Sequence, residues 1–443
     1  MRMGSLMPFK HRILLNNNAL RLHQMRSIAT LPKPVHEITH PDNQVSTSDL
    51  DTIEQYEKYL IVNDKRPNIL FDHGVGCHLY DNADRDYLDF TAGISVSALG
   101  HADTNLIQEM YGQANKLIHT SRLFHDTNTG RLAELLIKKT RVTAASSDAN
   151  WAKKALLTDS GREALALAFK IVRAWGTQTD PKKTKVVCFK SSNKRQIIND
   201  TEYIPFNHMR EMYHSIDENT CAVIVEPIQG ESGIHVATGD FLEGLRERCN
   251  ENNALLIYDE SECGVGRTGK LWAHQHYDKT CSPDGLIMAK SMANGVPIGA
   301  ILANNKMVDI ISNGHYNDGG NPLTAAIALS VMERISNPEF LYHVNEVGQS
   351  LRRDLKALEE KFPEIIKQVR GKGLLLGVEF KRNPSSIIKH ARQRGLLLTN
   401  MTSNTIGFTP PLTLTKAEAR EGIARFSGAL EQFHKNAKDE SLF

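Results

Sequence analysis

What most limits how this chain can fold is a series of short apolar segments between residues 154 and 302. Ala155-Leu-Leu-Thr158, Lys185-Val-Val-Cys-Phe189, Ala222-Val-Ile-Val-Glu226, Ala254-Leu-Leu-Ile-Tyr258, Gly285-Leu-Ile-Met-Ala289 and Ile298–Leu302 are four or five residues each. They are too short for helices and too uniformly apolar for strands with one wet face, so they read as buried strands. Between them, Glu163–Trp175 and Phe241–Asn250 place apolar residues at helical spacing. Strands that alternate with helices predict an α/β unit with a mostly parallel central sheet covered on both faces.

On either side the pattern changes. Residues 68–91 read as a small antiparallel meander, with a turn at Asp81–Asp86. After about residue 322, Leu323–Ile335 and Phe340–Phe362 are long amphipathic helices. Gly371–Phe380 and Gly395–Leu398 read as strands, and Lys416–Phe433 as a closing helix. The expected layout is a large domain over 96–325 and a smaller α+β domain. The smaller domain takes residues 37–95 and 326–443, and its sheet recruits the meander.

Charge separates a leader from this body. Arg2, Lys10, Arg12, Arg21, Arg26 and Lys33 precede the first acidic residue, Glu37. Cations without acids, mixed with Leu and Ser, predict a mitochondrial presequence over residues 1–36, with processing near Arg26–Ala29 and a matrix location. The formal net charge of +2 gives no reason to expect a nucleic-acid partner, and no apolar run is long enough to cross a bilayer. The six cysteines are scattered, with no CxxC pair, which argues against a disulfide framework or a structural zinc. No metal is expected.

Three positions carry chemistry. Asp259 follows an apolar strand, and open α/β sheets bind ligands at the carboxyl ends of their strands. A carboxylate there is costly without a cation or hydrogen-bond donors. Lys290 likewise follows an apolar strand, with small neighbours from Ser291 to Gly295. With few anions nearby, such a lysine is expected to have a depressed pKa, which suits attack on an aldehyde. Ser160-Gly161-Arg162-Glu163 joins a strand to a helix, where free N–H groups can cradle a phosphate. Each alone is commonplace: a cap, an internal ion pair, a surface lysine.

Together, the order of phosphate loop, strand-end Asp and strand-end Lys resembles fold-type I pyridoxal-phosphate enzymes. The wording resembles the class III aminotransferases in particular. It does so at Val225-Glu-Pro-Ile-Gln-Gly-Glu231, Asp259-Glu260, Cys263-Gly-Val-Gly-Arg-Thr-Gly-Lys-Leu-Trp-Ala-His274, Ala289-Lys290, Asn294-Gly-Val-Pro-Ile-Gly-Ala300 and Gly319-Gly-Asn-Pro-Leu323. Tyr87-Leu-Asp-Phe-Thr-Ala-Gly-Ile94, Leu99-Gly-His101 and Gly371-Lys-Gly-Leu-Leu-Leu-Gly377 fit as well. The resemblance covers the chain from about residue 60 to its end, and is greatest to the fungal mitochondrial acetylornithine aminotransferases.

That resemblance implies pyridoxal 5'-phosphate as cofactor, with Lys290 bonding its aldehyde and Asp259 facing its ring nitrogen. Ser160, Gly161 and Arg162 would hold the phosphate. It also implies a homodimer, and amino transfer between N2-acetylornithine and a 2-oxo acid, 2-oxoglutarate. Five departures surround the site. Arg162 stands for a Thr. After Phe189 the family's aromatic and His-Gly-Arg are replaced by Lys190-Ser-Ser-Asn-Lys-Arg195 in a shortened segment, leaving Arg195 as the arginine for a substrate carboxylate. Glu262 stands for the Gln that serves the cofactor's phenolic oxygen. Asn317 and Asp318 stand for a Thr and an aromatic. Gly407 stands for an Arg whose expected partner is Glu231. They raise two alternatives: a homolog with impaired or no catalysis, and an ω-aminotransferase for another amine.

Overall fold

The computed structural model describes residues 37–62, 66–121, 123–142, 150–190, 200–314 and 319–439. The expected presequence, Arg195 and Asn317 lie outside them. The strands in chain order are β1 (Phe71–Val75), β2 (His78–Asp81), β3 (Asp86–Asp89), β4 (Lys154–Thr158), β5 (Lys185–Phe189), β6 (Thr201–Ile204), β7 (Thr220–Val225), β8 (Ile228–Gln229), β9 (His235–Val236), β10 (Leu255–Asp259), β11 (Gly285–Met288), β12 (Gly299–Ala303), β13 (Ile366–Lys372), β14 (Leu375–Phe380), β15 (Leu396–Leu397), β16 (Thr399–Thr402) and β17 (Thr405–Phe408).

The central sheet has seven strands in the order β4-β12-β11-β10-β7-β5-β6. Neighbours from β11 to β6 run parallel, while β12 is antiparallel to both β11 and β4. The apolar runs bury both faces because successive side chains alternate sides. On β7, Ala222 and Ile224 join one core with the Gly161–Thr179 helix, while Val223 and Val225 join another with the Gly239–Glu251 helix. β6 escapes a reading from sequence. It is a four-residue edge strand, Thr-Glu-Tyr-Ile, and only Ile204 is fully buried.

The meander corrects one expectation. β1, β2 and β3 do not enter the C-terminal sheet, whose order is β13-β14-β17-β16. Instead they form their own sheet and take β15 from the C-terminal region, parallel to β3. A single core runs from this part of the chain into the long helices Pro322–Ile335 and Pro338–Lys361. Among the described residues no helix is long and apolar enough to cross a membrane. All six cysteines are buried and free.

Candidate active site

The site lies where β7, β10 and β11 end. Asp259 is the last residue of β10, in register with Ile287 on β11. Two residues past the end of β11 the chain turns sharply. Lys290 has φ +38°, a left-handed backbone rare for a residue with a side chain, and it opens a one-turn 3-10 helix closed by Asn294 at φ +49°. This turn is tied to the loop after β3. Ser291 Oγ donates to the Ser95 carbonyl (2.8 Å), the Leu99 N–H donates to Asn294 Oδ1 (2.7 Å), and Asn294 Nδ2 donates to the Gly100 carbonyl (3.0 Å). The loop itself is unusual: Ala92, Gly93, Ile94 and Ser95 all have positive φ.

Lys290 is not in the anion-poor setting expected of it. Its Nζ lies 3.0 Å from Glu262 Oε2 and 3.3 Å from Glu231 Oε1. Burial favours the neutral amine, but the two carboxylates outweigh it and hold the lysine above its ordinary pKa. The expectation failed because both partners come from other strand ends, far off in sequence. Glu262 is wedged in place. Ser95 Oγ donates to its Oε1 (3.1 Å), and a Cβ on Gly230 would come within 2.3 Å of its carboxylate.

Asp259 Oδ1 accepts the Ser261 N–H at 3.0 Å. Burial raises the pKa of Asp259 against the lowering effects of the Ser261 hydrogen bonds and the charge on Lys290. Glu226 was missed from sequence. It follows Val225, which is in register with Tyr258, so it stands beside Asp259 at the next strand end. Burial first, then the charges of Asp259 and Glu262, keep its carboxyl protonated well above the usual range. The available signal was its position, the same strand-end slot that singled out Asp259.

Ser160 caps the 19-residue helix that starts at Gly161, its Oγ accepting the Glu163 N–H at 3.2 Å. Glu163 in turn accepts the Asp159 N–H at 2.8 Å. A Cβ on Gly161 would meet the Ala289 Cβ at 2.7 Å, so the glycine lets this helix start close on the lysine strand. Arg162 is exposed. Gly407 lies on β17, and the volume beside it is filled: a Cβ there would stand 2.2 Å from Met401 Cε. Met401 is itself buried with Ile228, Ile234, Cys263, Ala273 and Leu375.

The strand-end lysine and carboxylate, the capped helix start and the doubly covered sheet define a fold-type I transferase. The family model for aminotransferase class-III matches residues 60–194 and 192–430, and the chain belongs to that family, which is pyridoxal-phosphate-dependent in general. It is 37% identical to the mitochondrial acetylornithine aminotransferase of Yarrowia lipolytica, over 87% of this chain and 97% of that one. It is 35% identical to the Neurospora crassa protein of the same name, over 90% of each. Among solved structures, the N-acetylornithine aminotransferase of Stenotrophomonas maltophilia aligns with a TM-score of 0.76 at 32% identity, covering 86% of this chain and 99% of that one. The ornithine δ-aminotransferase of Plasmodium falciparum aligns with a TM-score of 0.79 at 29% identity, over 88% and 99%.

The described residues suit the family's cofactor at three points. A partly accessible lysine faces the strand ends. Asp259 is a desolvated carboxylate whose own donor is Ser261, which leaves it suited to a cationic ring nitrogen. A helix N-terminus beside the lysine strand suits a phosphate. Glu262 is the exception: it offers an acceptor where the family's Gln offers a donor.

Proposed function

We propose that this chain transfers an amino group from N2-acetylornithine to 2-oxoglutarate, giving the semialdehyde and glutamate, as a step of arginine synthesis in the mitochondrial matrix. The observation that carries this reading is the placing of Lys290 and Asp259 at neighbouring parallel strand ends, beside the helix start at Gly161. The mitochondrial acetylornithine aminotransferases to which the chain is similar support the substrate pair and the compartment.

Pyridoxal phosphate, when bound, supplies an aldehyde that accepts the amino group and a protonated ring that withdraws electrons. The chain's own residues do the rest. Ser160, Gly161 and Arg162 hold the phosphate, chiefly through backbone N–H groups, because the Arg162 side chain is exposed. Asn317, which stands for a Thr that serves the neighbouring subunit's phosphate in the family, would take that role here. Asp259, desolvated and ionised against a cation, keeps the ring nitrogen protonated. Lys290 Nζ takes the proton from the substrate carbon that bears the amino group and returns it one atom away. Glu262 and Glu231 set where that amine points, and Arg195 and Glu231 position the substrate.

A homodimer fits the surface. Ile107, Tyr111, Leu117, Ile118, Leu123 and Phe124 are 42–80% exposed within eighteen residues of chain, a concentration of apolar surface suited to burial against a second copy. The division into a leader (1–36), a small domain (37–95 with 326–443) and a large domain (96–325) completes the reading.

One titration tests it. Added cofactor should produce a visible absorption band, acetylornithine should discharge it, and 2-oxoglutarate should restore it. A band discharged by other ω-amines but not by acetylornithine would favour the ω-aminotransferase alternative. No band at saturating cofactor would favour the non-catalytic one.

A further inference from the structure

We propose that Glu262 and Glu231 together lock Lys290 as an ammonium in the cofactor-free protein, which keeps the amine from attacking an aldehyde until that pairing is broken. The inference rests on reading Lys290 as the aldehyde-binding lysine. It assigns a role to a residue that departs from the family's glutamine.

The geometry leaves Glu262 little choice of partner. Oε2 is 3.0 Å from Lys290 Nζ, while Oε1 is occupied by the Ser95 hydroxyl at 3.1 Å. Gly230 closes the space beside the carboxylate, since even a Cβ would collide with it. Ser95 is fixed in turn, because its carbonyl accepts from Ser291, the residue after the lysine. The carboxylate and the ammonium are therefore aimed at each other from both ends.

Other ionisable groups stand close by. Glu231 touches Lys290, Glu226 and Asp259 stand at the adjoining strand ends, and Arg267 lies behind Glu262, wholly buried, donating to the carbonyls of Leu374 and Pro410. Two carboxylates grip one lysine, so its positive charge is well held and its lone pair is not free. An ammonium cannot act as a nucleophile. A glutamine could hydrogen-bond the amine but carries no charge to hold its proton in place; Glu262 does, from 3.0 Å.

The test reads Lys290 in cofactor-free protein. Acetic anhydride is applied in trace amounts between about pH 7 and 10, and acetylation at Lys290 is quantified by peptide mass spectrometry, with the 65% exposed Lys58 as internal reference. Wild-type Lys290 should label far more slowly than Lys58 at neutral pH. Glu262→Gln should speed it about tenfold or more at each pH below the midpoint, since a one-unit fall in pKa raises the neutral fraction tenfold. Should that variant not fold, Glu262→Asp, which draws the carboxylate back, should give a smaller shift in the same direction. An unchanged labelling rate relative to Lys58 in a folded variant overturns the proposal. Because no cofactor or substrate is present, a failed cofactor titration leaves this result standing, and the reverse also holds.

Discussion

The floor of the site and its far wall are built from different materials. The floor consists of strand ends from the central sheet, where Glu226, Asp259 and Lys290 follow one another across β7, β10 and β11. The wall comes from the C-terminal sheet, against which the β8–β9 hairpin carrying Glu231 rests: Gly233 meets Arg370 on β13 and Thr402 on β16, and Ile234 meets Gly377 on β14. The floor is dense in ionisable groups. The wall has exchanged the family's arginine for Gly407, and Met401 occupies the freed space. Glu231, which stands between the two, is paired with the lysine of the floor rather than with an arginine of the wall. A site can therefore keep the groups that act on the bond while altering the groups that recognise the rest of the substrate.

The sharpest way to break this contrast is at the floor. Lys290→Ala should abolish the cofactor's visible band and reduce transamination by about 10³-fold or more, read by absorption and by single-turnover kinetics. Asp259→Asn keeps shape but not charge. It should cost roughly 10²-fold in kcat with a smaller effect on cofactor affinity, and a loss confined to KM would mean that Asp259 serves substrate instead.

Gly407→Arg probes the wall. Met401 fills the space, so the single variant should be destabilised by about 1–3 kcal/mol, seen as a lower Tm. Met401→Ala beside it should recover most of that loss and lower the KM for 2-oxoglutarate by roughly tenfold, through a restored charge-assisted contact. If Gly407→Arg alone is as stable as the parent, the wall is not filled in the way described.

The smallest effect expected is a slope. A carboxyl that binds its proton more tightly in the folded chain stabilises it most at low pH. That contribution is lost as pH rises from the ordinary value of 4.5 toward the raised one. Cofactor-free wild type should therefore lose more stability than Glu226→Gln as pH rises over this range, measured by thermal unfolding at successive pH values. Parallel curves would remove Glu226 from the charge balance of the floor.

Much of the floor is legible in the amino-acid sequence. Buried parallel strands write themselves as unbroken apolar runs, and a charged residue at the end of such a run stands out. What stayed hidden was the pairing of those charges, because Glu231 lies 59 residues from Lys290 and meets it only through strand order. The chain neighbours of Lys290 alone suggest an anion-poor setting, and its neighbours in space reverse that. Met401 carried no signal at all. A lone methionine reads as core, and that it stands in for a missing side chain follows only from the Gly407 contact. In the fold, β15 went to the meander because two residues of strand say nothing about which sheet they will join.

The four left-handed residues from Ala92 to Ser95 bear on the order in which the molecule comes together. Ser95 is held by Ser291 and Glu262, and Thr91 by the Thr409 hydroxyl, which donates to its carbonyl at 3.0 Å. These partners are 167 to 318 residues away. A backbone shape that costs energy locally forms only once such distant partners arrive, and closing loops of that length is slow. The lysine's surroundings therefore take their final shape only once the chain as far as Thr409 has been made.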